Sequence, residues 1–173
     1  MLTRETKIEL HASIETSLAM SRQKPSASIP VKVVDEQGRY VLDEQVGFLL
    51  RVAMQRHTAI FTTRMAERLT QTQFAALAKL YDLGPCSQNH LGRHICLDAS
   101  TIKGVVDRLA ARGLLTAVAD PQDRRRRAVT LTERGRAVTE KAMAVAAGIT
   151  AATLAPLGED ERSLLVRLLK KLG

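Results

Sequence analysis

The sequence predicts a mainly helical fold carrying one small β-hairpin. Three observations predict it. The core has to be aliphatic, because apolar residues make up 45% of the 173-residue chain and aromatics only 3%, with no Trp. Apolar residues recur at spacings of three and four along most of the chain, which is the helical period. Between residues 115 and 131 the pattern turns to short alternating runs around a turn, which is the strand and hairpin pattern.

The elements follow in order. Residues 1–39 read as an N-terminal extension and linker. Leu10, Ile14 and Leu18 share one helical face there, and Lys24–Pro30 holds two Pro and two Ser in seven residues. The compact part is expected from about Tyr40. Asp43 can cap a long helix reaching about Leu69, with Val46, Leu50, Ala53, Ile60, Phe61 and Met65 as its apolar stripe and His57 and Arg64 on or beside it. Thr70 or Thr72 can cap the next helix, which Gly84-Pro85 stops. A short helix, 88–95, turns Leu91 and Ile95 inward. Asp98 caps a further helix with Ile102, Val105, Val106 and Leu109 as core face, and Gly113 ends it.

Leu115–Ala119 and Arg127–Leu131 form the two strands, joined by the turn chemistry of Asp120-Pro121-Gln122-Asp123. Thr132 caps another long helix, which Pro156 ends. Gly158-Glu159-Asp160-Glu161 opens the last helix and Lys170-Lys171 closes it, charges matched to the dipole at both ends. Short helix, turn, capped helix and hairpin together make the order of a winged helix-turn-helix.

Charge bears on partners. The chain carries 26 Lys+Arg against 18 Asp+Glu, a net charge of +8. Residues 84–136 hold ten of these cations against five anions, so most of the excess lies on the winged segment. A basic patch of that kind suits nucleic acid. The two Cys exclude a disulfide-stapled secreted scaffold. No apolar run follows Met1–Lys7, so no signal peptide is expected and the expected location is cytoplasmic. Ala142–Leu157 carries no charge but is weakly hydrophobic and holds Pro156, so it reads as a helix packed in a protein interface rather than a membrane span.

The helix after Asp98 offers Ser100, Thr101, Lys103, Gly104, Asp107 and Arg108 away from its core face. Small polar residues near a helix N-terminus let backbone enter a major groove and let hydroxyls reach base edges or phosphates. Gly104 removes a side chain where DNA would come closest. The hairpin tip carries Arg124, Arg125, Arg126 and Arg127. Arginines there suit a narrow minor groove or the phosphates beside it.

These residues bring the chain close to a known family. Asp120-Pro121-Gln122-Asp123-Arg124-Arg125, followed by Leu131-Thr132-Glu133-Arg134-Gly135, resembles the wing signature of the MarR family of bacterial transcription regulators. Val106-Asp107-Arg108-Leu109 and Arg112-Gly113-Leu114 resemble that family's recognition helix and its exit. The resemblance covers residues 43–172. It implies a homodimer built by terminal helices (40–69 and 132–173), a winged lobe over 70–131, and binding to a palindromic double-stranded operator as a repressor. It also implies that Asp123 orients Arg124 or Arg125. The stretches 46–51 and 53–58 are similar to members that control breakdown of nicotinate and other aromatic acids, which implies an aromatic carboxylate effector, first of all 6-hydroxynicotinate.

The family's ligand crevice lies between the dimerisation helices and the lobe. The residues that suit an aromatic acid there are Arg51, His57 and Arg64 for the carboxylate and Phe61 or Met54 for the ring. The plainer alternative is that Arg51, Arg56 and Arg64 pair with acids across the dimer. Cys86, His90, His94 and Cys96 raise a metal alternative, which a small buried Cys96 and phosphate-facing histidines explain more simply. Thiol sensing is disfavoured because no Cys lies between Tyr40 and Thr70, where peroxide sensors of the family carry theirs. An architectural DNA-binding protein without ligand is the remaining alternative. No phosphate loop, nucleophile elbow or catalytic acid pair is present, so neither an enzyme nor a cofactor is expected.

Overall fold

The computed structural model describes residues 33–120, 125 and 127–173. The expected first helix at 1–24 and the linker after it lie outside the described residues. The chain divides into two units, one up to Val46 and one from Gly47 to Gly173. In the first, Asp35 organises a tight turn. Its Oδ1 accepts from the backbone N–H of Gln37 and Arg39, and its Oδ2 meets Arg39 Nε at 2.8 Å. Val34 and Tyr40 bridge across that turn, and Leu42–Glu44 form a single 3-10 turn.

Among the described residues the second unit holds six α-helices and a hairpin, the first helix starting one residue before it: α1 (Val46–Arg64), α2 (Gln71–Leu83), α3 (Gln88–His94), α4 (Ala99–Ala111), β1 (Leu115–Ala119), β2 (Arg127–Leu131), α5 (Glu133–Thr153) and α6 (Glu159–Leu172). No helix among the described residues is long and apolar enough to cross a membrane. Thr70, Asp98 and Thr132 cap their helices as the sequence predicts, and Ser87 caps a fourth that the sequence reading left without one. Thr70 makes a capping box with Gln73, Ser87 Oγ accepts from His90 N–H, Asp98 holds α4, and Thr132 Oγ1 accepts from Gly135 N–H.

The first long helix differs from expectation. Asp43 does not cap it; α1 begins at Val46 and ends at Arg64, not near Leu69. Met65 turns extended, and Glu67 and Arg68 follow in the left-handed region at φ 58° and 50°. Two consecutive non-glycine residues there carry strain of about 1 kcal/mol or more each. Arg112 holds the turn from 45 positions away, donating through Nη2 to Glu67 O at 2.7 Å. Met65 and Leu69, both buried, anchor it on either side.

The core lies inside the winged lobe and where α5 crosses it. Leu77 and Leu80 of α2, Leu91 of α3, and Ile102, Val105 and Leu109 of α4 are essentially inaccessible, as are Leu114 and Ala128 beside the hairpin. The Leu-Thr-x-x-Gly stretch has a physical role here. Thr132 donates through Oγ1 to Gly113 O and through its N–H to Leu114 O. A Cβ on Gly135 would overlap the Leu114 carbonyl oxygen, so only glycine lets α5 start this close to the exit of α4. Gly113, at φ 69°, makes that exit.

The strands pair antiparallel, from Leu115 opposite Leu131 to Ala119 opposite Arg127. Cys86 adds a third piece of extended chain by exchanging both backbone hydrogen bonds with Val129.

Candidate nucleic-acid interface and ligand cavity

The core face expected for α4 is the buried one, which leaves Ser100, Thr101, Lys103, Asp107 and Arg108 exposed and Gly104 half-exposed. Their side chains are already ordered by one another. Asp98 Oδ1 accepts from the N–H groups of Ser100 and Thr101 at 2.9 Å each. Ser100 Oγ donates to Oδ1 and Thr101 Oγ1 donates to Oδ2, both at 2.6 Å. The two hydroxyl bonds first, then the backbone ones, hold the Asp98 carboxyl well below the usual carboxylate range.

This cap limits what the hydroxyls can do. Each has committed its proton to Asp98, so toward DNA it presents an acceptor oxygen. Phosphate oxygens donate nothing, whereas the amino groups of adenine and cytosine do. Lys103 meets Asp107 at 2.6 Å, with both side chains mostly exposed at 67% and 60%. A solvated pair of this kind contributes little to stability, so a phosphate can take Lys103 over. The space beside Gly104 belongs to Arg108, whose Nη1 would stand 3.2 Å from a Cβ there.

At the wing, Arg125 and Arg127 are exposed. Asp123, Arg124 and Arg126 lie outside the described residues. Arg112 faces the turn at Glu67 instead of solvent, and Arg134 Nη1 donates to Arg112 O at 3.1 Å. Burial, with the charge of Asp120 added, pushes the Cys86 thiol up. A thiol held protonated is a poor nucleophile.

A cavity of about 360 Å³ lies between α1, α2 and α5. His57, Phe61 and Met54 line it from α1, Gln71 and Phe74 from α2, and Ala146, Ile149 and Thr150 from α5. Three rings run in a row, with His57 to Phe61 and Phe61 to Phe74 each 6.1 Å between centroids and tilted by 54° and 56°. His57 Nδ1 is 2.9 Å from Thr153 Oγ1, and that hydroxyl donates to Ile149 O. His57 Nδ1–H is therefore the donor to Thr153, and Nε2 is left for a ligand.

Of the residues expected to bind ligand, the structure brings Met54, His57 and Phe61 together in this cavity. Arg51 and Arg64 are exposed and line no part of it. Arg51 stacks over Phe48 at 5.0 Å and reaches Gln55, while Arg64 donates to Gly148 O at 3.4 Å. The cation that does face an adjoining space is Arg68, missed by the sequence reading. It lines a second cavity of about 520 Å³ with Thr58, Thr62, Leu69 and Thr70, sharing Phe61 and Gln71 with the first. Gln71 Nε2 donates to Thr58 Oγ1 at 3.3 Å where the two spaces meet.

The comparisons with known proteins agree with this layout. The MarR family model matches residues 69–126, from the start of α2 into the wing. A repressor of Pseudomonas putida, the HTH-type transcriptional repressor NicR, is 40% identical over 154 residues, 88% of this chain and 95% of the relative. A probable transcriptional regulator from Pseudomonas aeruginosa is 48% identical and superposes with a TM-score of 0.75 over 77% of this chain and 100% of that one. BpsR of Bordetella bronchiseptica, whose DNA binding is regulated by 6-hydroxynicotinic acid, is 44% identical with a TM-score of 0.73, over 78% of this chain and 97% of its own.

Proposed function

The chain belongs to the MarR family, whose matched members are transcriptional regulators and not enzymes, and from that membership we propose a ligand-released repressor that binds a palindromic operator as a homodimer. Each α4 enters a major groove, the two half-sites lying about one turn of DNA apart. For Arg124, Arg125 and Arg126 of the wing sequence we propose contacts to phosphates or a minor groove. The terminal helices α1 and α6 supply the dimer contacts. Val46, Leu49, Leu50, Val52 and Met54 on α1, and Leu164, Leu168, Leu169 and Leu172 on α6, lie substantially exposed in the single chain, which supports that assembly.

The observation that carries the effector reading is the aromatic row facing the free Nε2 of His57. Phe61 and Phe74 offer faces to a flat ring. His57 Nε2 offers an acceptor to a ring hydroxyl, and Arg68 across the Gln71–Thr58 boundary offers a donor to a carboxylate. A hydroxylated nicotinate, 6-hydroxynicotinate first, or a related benzoate is the effector this chemistry suits, and the likeness to NicR and BpsR supports the choice. The acid acts only by preferring one spacing of the two lobes over the other.

The test is an operator titration at fixed salt with and without a panel of aromatic acids. Release by about 5- to 150-fold in affinity is expected, a coupling of about 1–3 kcal/mol. His57→Ala should remove the response and leave ligand-free operator affinity unchanged. A panel without effect at millimolar concentration sinks the effector reading and leaves the DNA reading standing.

A further inference from the structure

We propose that His90 and His94, on the solvent side of α3, form a two-histidine chelate for a divalent ion of the copper or nickel kind. The reading is independent of any effector. Four residues apart, the two histidines share one helical face. Their Nε2 atoms are 3.0 Å apart, and the rings meet edge-on at 4.5 Å and 68°.

The two Nε2 atoms are near enough for one ion to bridge them after a small ring rotation. Imidazole nitrogen is a good ligand for the later divalent metals, and Cu²⁺ binds nitrogen ligands most tightly of the series. Among the described residues no group of three or more His, Cys, Asp or Glu forms around the pair, so the other positions stay open to water.

The backbone that presents the pair has little room to shift. Ser87 caps the helix through His90 N–H, and Leu91 and Gly92 are buried. A Cβ on Gly92 would stand 3.1 Å from Ile102 Cγ2 and 3.2 Å from Leu97 O, so α3 sits tightly on α4. Without an ion, one N–H···N hydrogen bond joins the rings. Arg93 Nη2 lies 3.4 Å from His90 Nδ1, which leaves the His90 proton on Nε2. Ligation moves that proton to Nδ1 through solvent and turns Arg93 away. Arg93 is exposed, so its release costs little. No net proton leaves a neutral pair, while protonated imidazoles release theirs as the metal binds.

The experiment titrates Cu²⁺ and Ni²⁺ into the full-length protein at neutral pH by calorimetry, with the electron spin resonance of bound Cu²⁺ as second readout. One saturable site per chain with imidazole nitrogen couplings is expected at His90 and His94. His90→Ala and His94→Ala should each weaken it at least about tenfold, a loss seen even for groups that only support a ligand. A Cys86→Ser, Cys96→Ser double variant should keep it, which separates the chelate from thiol binding. Absence of a saturable site, one unchanged by both histidine substitutions, or one lost with the cysteines overturns the proposal.

Discussion

The winged lobe and the terminal helices bury their apolar residues very differently. From α2 to β2, leucines and valines at helical spacing vanish into a common core, and every helix start there is capped from within the lobe. On α1 only Phe61 is buried, and on α6 no residue is. The two regions have comparable apolar stripes, so composition does not separate them. The difference lies in what the chain provides for each stripe to pack on. The lobe is complete in one copy. The terminal helices leave an apolar surface for which the single chain provides no counterpart, as the proposed homodimer requires.

Breaking the uncovered surface should give the largest effect. Leu168→Asp with Leu172→Asp places four carboxylates at a twofold contact. Burying unpaired charge there costs several kcal/mol, so dimer affinity should fall at least about a thousandfold, or ~4 kcal/mol. Sedimentation should show monomers that keep their helical circular dichroism. A dimer that survives would place the contact elsewhere.

The lobe is broken in the opposite way, by filling space. Gly135→Ala drives a methyl into the Leu114 carbonyl and should cost about 3 kcal/mol in chemical denaturation. The dimer contact on α6 is not touched, so the loss should appear as instability at unchanged association state. A cost below about 1 kcal/mol would mean that α5 can move off the exit of α4, and that the lobe is less rigid than its core suggests.

The same contrast explains what was legible in the sequence. Caps at Thr70, Ser87, Asp98 and Thr132 are local, each set by residues two or three positions away, and the helices of the lobe follow from them. The hairpin followed from its alternation and turn residues. The end of α1 did not. Neither Gly nor Pro marks the Met65–Arg68 turn, and its strained backbone is held by Arg112 from across the fold. Arg68 sits in that turn, so helical spacing alone does not show that it faces the space beside Phe61. The third cavity wall, Ala146 to Thr150, was equally hidden. Its uncharged stretch says that something packs there, without saying whether that is protein or ligand. The extended chain at Cys86 carries no strand period at all, because only one residue of it pairs.

A smaller effect concerns the reading face of α4. If Thr101 Oγ1 meets DNA only as an acceptor, Thr101→Val keeps the shape and removes the oxygen. Preference for an operator presenting an adenine or cytosine amino group should fall by about 1–2 kcal/mol, while affinity for random duplex stays the same. Equal weakening on both duplexes would mean that the hydroxyl leaves Asp98 and donates to a phosphate instead.

The smallest effect sharpens the comparison through pH. In the folded lobe four hydrogen bonds hold the Asp98 carboxyl far below its unfolded value. A depressed folded pKa contributes stability that is fully present above the unfolded value, about 3.9, and is lost as pH falls from there through the folded pKa. Neutral pH should therefore show no titration of this cap, and acid should erode it. Asp98→Asn keeps a capping oxygen, since Asn caps about as well as Asp. It removes the ionisation. The variant should match the parent in shape at neutral pH and lose stability less steeply between about pH 4 and pH 2. Thermal melts of both proteins across that range, at constant ionic strength, give the slopes directly. Parallel slopes would mean that Ser100 and Thr101 do not hold the carboxylate in solution, and the acceptor-only reading of their hydroxyls would go with it.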